Sequence, residues 1–216
     1  MHRWLCSLAV VAGLLVGPVA AGAQSAVGFR AGMRSSQLAV GQDLDALTTF
    51  AVGGYFGFGV SNRLAVQFEA EYGRRGGEGL RVSNGELDPA ADPVKVEMDY
   101  LEFPILLRAG FPGERFLPSV FAGPYVGFML DCVITPPEGT LRKCEVSGEA
   151  ERFQPRGTEV GILAGMGLDF AIGENTVFID ARYTYGLLSI EAGSEAIDVR
   201  NNGFAISGGF AVPVGR

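Results

Sequence analysis

At 216 residues the chain is long enough for one domain with its own core, and 32 glycines with 15 phenylalanines separate it from coiled coils and disordered chains. Its formal net charge of −7 lacks the basic footprint that a nucleic-acid partner requires. Residues 1–23 read as a secretory signal peptide: Met1-His2-Arg3 is a positive start, Trp4 to Val16 an apolar run, and Ala21-Gly22-Ala23 a small-residue cleavage site. The expected mature chain, 24–216, has a net charge of −8, one below −7 because Arg3 leaves with the signal. It keeps no histidine, since His2 is the only one. That excludes Ser-His-Asp and Cys-His catalysis and the usual zinc sites. We expect no catalytic site, no metal and no cofactor.

No apolar run after the signal approaches the ~18–20 residues of a membrane helix, but a membrane strand needs only ~9–11. Alternating segments recur along the whole mature chain. The first, "VGFRAGMR" at 27–34, sets Val27, Phe29, Ala31 and Met33 against Gly28, Arg30, Gly32 and Arg34. The second, "TFAVGGYFGFGV" at 49–60, puts Phe50, Val52, Phe56 and Phe58 on one face and Ala51, Gly53, Tyr55 and Gly57 on the other. Ser61-Asn62 turns the chain into the third, "RLAVQFEAEY", where Gln67, Glu69 and Glu71 oppose Leu64, Val66, Phe68 and Tyr72. Two strands joined by two polar residues make a hairpin. A long polar loop is expected from Gly73 to about Pro93, with "GGEG" at 76–79 inside it.

The fourth segment is "YLEFPILLRAGF" at 100–111. Leu101, Phe103, Ile105, Leu107, Ala109 and Phe111 share one face; Glu102, Pro104, Leu106, Arg108 and Gly110 share the other. Just before it, Val94, Val96, Met98 and Tyr100 place the apolar residues in the opposite parity. This predicts a β-bulge near 99–101 or a strand running past its sheet. Pro104 costs a ladder bond, which a bulge or a lumen water could absorb. The fifth segment is "SVFAGPYVGFML" at 119–130, followed by a loop over about 131–157 that carries Cys132 and Cys144. In an exported chain this even pair reads as a disulfide, with two free thiols the alternative. The sixth is "EVGILAGMGLDF" at 159–170, and Gly173-Glu174-Asn175 leads into the seventh, "VFIDARYTYGLL". A loop over about 189–202 precedes the eighth, "FAISGGFAVPV".

Eight strands with alternating long and short connections predict an all-β fold: an eight-stranded antiparallel up-and-down transmembrane β-barrel. A soluble calyx would put the apolar face inward, a membrane barrel the mixed face. The glycines favour the second. Gly28, Gly32, Gly53, Gly57, Gly123, Gly161, Gly165 and Gly209 all fall on the mixed face, where a narrow eight-strand lumen has room only for small residues beside long ones. The mixed face would then hold a lumen charge network of Arg30, Glu69, Glu102, Arg108, Glu159, Asp169, Asp180 and Arg182. Arg182 is the first-choice partner of Glu102, across the lumen. The long connections near Asp43, Gly85, Gly139 and Gly193 are expected outside, and the turns at Asn62, Gly113 and Asn175 in the periplasm.

"YLEFPILLRAGF", "FAGPYVGFML" and "FIDARYTYGLL", in this order, resemble the strands of PorT-type outer-membrane β-barrels, the porin-family or outer-membrane β-barrel domain proteins. The similarity spans nearly the whole mature chain. It implies outer-membrane localisation in a Gram-negative-type envelope, usually without a defined molecular activity. One departure is the end Val214-Gly215-Arg216, where such barrels often end on an aromatic that the assembly machinery reads. The expected role is structural or surface-interacting, with outer-membrane lipid and the assembly machinery as partners, no nucleic acid, and a monomeric state. The alternatives are a soluble exported calyx for a small apolar ligand and a narrow pore. Carboxylate acid–base chemistry at Glu69, Glu71 and Glu102 is the one enzymatic reading left by the residue types.

Overall fold

The computed structural model describes residues 25–39, 45–83, 86–87, 90–113, 116–137, 139–144, 156–189 and 200–215. The expected signal peptide lies outside these, as do the expected loop positions Asp43, Gly85 and Gly193. Eight long antiparallel strands follow in chain order: β1 (Ser25–Ala39), β2 (Asp45–Gly59), β3 (Leu64–Leu80), β4 (Val94–Gly110), β5 (Leu117–Thr135), β6 (Thr158–Ile172), β7 (Asn175–Gly186) and β8 (Arg200–Val214). Each pairs with its neighbours in sequence, and β1 pairs with β8. The sheet therefore closes into an up-and-down barrel and leaves no long strand among the described residues with a free edge. Short pieces add two further ladders: Val82–Ser83 with Glu86–Leu87, and Arg142–Lys143 along β5.

Side-chain direction follows the expected inversion. On β1, Val27, Phe29 and Met33 are exposed while Gly28, Arg30 and Arg34 are buried. The same holds around the wall, with Phe103, Ile105, Met166, Ile179 and Ile206 bare outside and Glu102, Leu106, Asp180 and Ser207 buried inside. A large, continuous apolar exterior is stable only against lipid.

Four inward rings fix where glycine must stand. Tyr55, Phe121, Tyr125 and Phe178 lie directly across the ladder from Gly28, Gly165, Gly161 and Gly209. A Cβ at any of these glycines would collide with the opposite ring. Each ring is thus laid over bare backbone, which fills the lumen and covers the glycine.

The strands run further than the sequence pattern implies. Residues 73–80, expected as loop, extend β3 and pair with β4 up to Leu80↔Val94. β5 runs on to Thr135 and takes in Cys132. The predicted change of phase on β4 is not geometric. Val96, Met98, Tyr100 and Glu102 are all buried, so the even positions face inward throughout. What changes is the chemistry of the two faces. The register shift lies on β5, between Asp99↔Asp131 and Tyr100↔Met129, which leaves Leu130 as the extra residue. Below it Tyr125 and Gly127 are buried; above it Cys132 is.

Pro104 needs no bulge of its own. Between Phe68↔Ile105 and Glu71↔Glu102 the β3–β4 register is unbroken, and only the pairs opposite Phe103 and Pro104 are missing. Pro124 does the same on the next seam, where the β4–β5 ladder skips Ile105 and Leu106. Pro104 still pairs with Tyr125, and Pro124 with Ile162. Each proline silences one seam, and the other seam holds its strand in place.

Candidate functional site: the lumen

Among the described residues, nine charged side chains are buried across the middle of the barrel: Arg30, Arg34, Arg75 and Arg182 against Glu69, Glu71, Glu102, Glu159 and Asp180. They come from β1, β3, β4, β6 and β7, and every one stands at an inward position of its strand. A buried charge is tolerated only when paired, and each of the nine has at least one ion-pair partner, although Nε of Arg30, Arg34 and Arg182 makes no hydrogen bond among the described residues.

In the lower tier Arg30 lies 3.0 Å from Asp180 and 3.0 Å from Glu71, and donates to Ser207 Oγ at 2.6 Å. Arg182 reaches Glu69 at 2.8 Å and Asp180 at 3.3 Å. Gln67 donates to the same Glu69 at 2.5 Å. In the upper tier Glu102 accepts from two arginines, Arg75 Nε at 2.6 Å and Arg34 Nη1 at 2.8 Å. Arg34 also pairs with Glu71, which ties the tiers together. Arg75 stacks over the Tyr125 ring, 5.1 Å from its centroid. Glu159 closes the set, accepting from Tyr125 Oη at 2.5 Å and from Asn201 Nδ2 at 2.8 Å.

The expected cross-lumen partner of Glu102 is therefore wrong. Arg182 belongs to Glu69 and Asp180, one tier lower, and Glu102 is taken by Arg34 and Arg75. Arg75 was out of reach of the sequence reading because residues 73–80 look like a polar loop. In the structure Gly73, Arg75, Gly76 and Gly77 are buried while Arg74 and Glu78 are half-buried, and nothing in the residue types of this stretch marks Arg75 as inward. Arg34 stood on the correct face beside Arg30, and Glu71 beside Glu69. Of the expected network, Arg30, Glu69, Glu102, Glu159, Asp180 and Arg182 come together in the plug. Arg108 and Asp169 form their own pair at 2.6 Å, nearer the turn end and partly open to water.

Above the plug the lumen is apolar. Leu38, Leu80, Val96, Met98, Tyr100, Cys132 and Cys144 form one buried cluster. Cys132 and Cys144 are joined by a disulfide, with Cα atoms 5.4 Å apart. On the outside of the same strand ends stand Arg74, Lys95, Glu97 and Asp99, with Arg74 bonded to Asp99 at 2.6 Å and to Glu97 at 3.2 Å. Lys143 pairs with Asp131. Those hydrogen bonds hold the Asp99 and Asp131 carboxyls below the usual carboxylate range. Below the plug, at the turn end, the lumen widens into a cavity of about 630 Å³.

A family model described as "Outer membrane protein beta-barrel domain" matches residues 21–191. No protein with a curated description matches the chain. Among solved structures, the outer membrane protein OprG from Pseudomonas aeruginosa aligns with a TM-score of 0.55 at 12% identity, over 90% of this chain and 97% of that one. Neisserial surface protein A aligns with a TM-score of 0.49 at 14% identity, over 88% and 99%. The outer membrane protease OmpT from Escherichia coli aligns with a TM-score of 0.48 at 8% identity, over 90% and 98%. At such identities the likeness is one of fold.

Proposed function

From a chain that belongs to the family of outer membrane protein β-barrel domains, we propose a barrel that serves the outer membrane as a closed structural and surface-presenting element, not as a conduit or an enzyme. One observation carries this reading: the lumen is filled from wall to wall by nine buried, mutually paired charges, with an apolar cluster above them. Opening a water path would separate several buried ion pairs at once, each costing several kcal/mol on the order of a broken buried pair. The carboxylates that could do acid–base work, Glu69, Glu71 and Glu102, are each held by arginines. That supports a packing role for them over a catalytic one.

The finer kinship with PorT-type barrels belongs to the same proposal, resting on the three strand motifs at 100–111, 121–130 and 178–188. So do the orientation and partners. The short turns face the periplasm and the long connections face outward, where they present surface to partners. The barrel works as a monomer bedded in outer-membrane lipid, reaches the membrane through a cleaved signal at 1–23, and is handed in by the assembly machinery.

Conductance tests the central claim. Purified protein in planar bilayers should give no steady steps at any salt concentration. Reproducible salt-scaled steps of nanosiemens size would mean that the plug does not close the lumen and that the narrow-pore reading is correct.

A further inference from the structure

The cavity at the turn end is not a by-product of packing. Higher in the lumen, glycines are matched to rings that need them. At this level Gly57 and Gly110 are not: a Cβ on either would meet nothing closer than 3.9 Å. Ala26, Ala65 and Ala211 line the same space. Larger side chains would fit and fill it, yet the walls stay small and about 630 Å³ remains open, within the size range of small-molecule sites.

The roof of this space is polar and only partly used. Arg108 hydrogen-bonds through Nη2 alone among the described residues, to Asp169 Oδ1 at 2.6 Å. Its guanidinium rests over the Phe121 ring, 5.4 Å from the centroid. Nε and Nη1 are left without a described partner, on a side chain that is 15% exposed. Tyr55, whose ring is fixed against Gly28 and edge-on to Phe178, also lines the cavity. Asp169 and the Phe121 face hold the guanidinium in one place, so an incoming ligand need not order it. A fixed guanidinium with spare N–H donors selects a carboxylate by geometry as well as charge. Arg63, exposed at the lip, adds a second positive charge along the entry. The wall below is built mainly of small residues, Ala26, Gly57, Ala65 and Ala211, with Thr176 beside them and Ser61 and Asn62 at the turn.

We propose that this turn-end cavity is a binding cup for a small amphipathic carboxylate, with its head on Arg108 and its apolar body against the small-residue wall. The cup needs the closed barrel but not a closed plug, so it stands or falls separately from the conductance reading.

The test uses the protein in lipid nanodiscs and 4-fluorophenylacetate, observed by 19F NMR, with 4-fluorophenylacetamide as the neutral analogue of the same shape. The acid should bind saturably and at least tenfold more tightly than the amide. Arg108→Gln should remove that preference. Gly57→Val, which fills the cup without touching the charge, should weaken the acid and the amide alike. Heat-modifiable gel mobility confirms that each variant is a folded barrel, and either variant alone suffices if the other fails to assemble. Non-saturable partitioning of the acid, equal binding of acid and amide, or wild-type binding by a folded variant would overturn the assignment.

Discussion

The same three strands, β3 to β5, behave as two different proteins along their length. Within the membrane zone of β4, Leu101, Phe103, Ile105 and Leu107 point out while Glu102 is buried inside. One turn of the pleat higher, Lys95, Glu97 and Asp99 point out while Val96, Met98 and Tyr100 are buried. The alternation never breaks; its meaning reverses. Backbone geometry sends side chains to two faces, and the solvent on the outer face decides which chemistry goes where. Lipid outside forces the polar groups inward, where they must find one another. Water outside restores the ordinary arrangement, with ion pairs on the surface and an apolar core tied by the Cys132–Cys144 disulfide. The switch coincides with the bulge at Leu130, which turns Cys132 inward.

The plug is where breaking this comparison should cost most. Arg75→Ala and Glu102→Ala each strand a partner in the dry lumen and should lose about 3–5 kcal/mol in urea unfolding from lipid vesicles. The double variant should lose well under the sum of the two, because Arg75 lies 2.6 Å from Glu102. Pairing Glu102→Ala with Arg182→Ala should give a smaller coupling, since those two meet only through Glu71 and its neighbours. A larger coupling to Arg182 than to Arg75 would mean that the two tiers are wrongly assigned.

A second pair of variants sharpens the boundary itself. Ile105 and Leu141 are both bare apolar side chains, 47% and 68% exposed. Ile105 stands in the lipid band and Leu141 beside the outer ion pairs. Ile105→Lys should cost roughly 2–4 kcal/mol in the same unfolding assay, the penalty of a cation near the bilayer midplane. Leu141→Lys should change stability by no more than about 0.5 kcal/mol. Equal costs would place both in one medium and remove the distinction between the two regions.

Much of this was legible because a barrel strand writes its environment into parity. Eight strands, their closure, the inward face and the disulfide followed from alternation, glycine placement and an even cysteine pair. The plug's membership followed only in part. Parity assigns a residue to a face but not to a height, and the choice of Arg182 for Glu102 failed on height. Arg75 failed for a different reason: the pattern used to recognise a strand was apolar-out, and above the membrane that pattern is inverted. A stretch such as "GRRGGEGL" then resembles a polar loop although it is a strand with arginine on both faces. In the charged half of β4 the apolar residues change parity for the same reason: the medium outside the strand changes and the strand geometry does not.

The smallest expected effect lies on the water-facing ends of the strands and depends on pH. Asp99 accepts from Arg74, and Asp131 from Lys143, and both carboxyls sit below their ordinary value of 3.8 for that reason. A group whose folded pKa is depressed contributes fully above its unfolded pKa, and its contribution is lost as pH falls through the folded one. The strand ends should therefore be equally stable from pH 7 down to about pH 5, and loosen only as the pH drops below 3.8. Arg74 is 40% exposed, so the pair with Asp99 is screened by water and salt and is worth about 0.2–1 kcal/mol at most. Hydrogen exchange should locate the loosening in residues 95–99 and 131–135 while the amides around Glu102 stay protected. Asp99→Asn should lower protection at pH 7 by that small amount and flatten the acid response of its own strand. Raising the salt to about 1 M, where the Debye length is ~3 Å, should mimic the substitution. Loss of protection that began near pH 6, or that spread to Glu102 at the same pH, would show that the outer ends and the lumen unfold as one body, and that the change of solvent along the strand does not divide it.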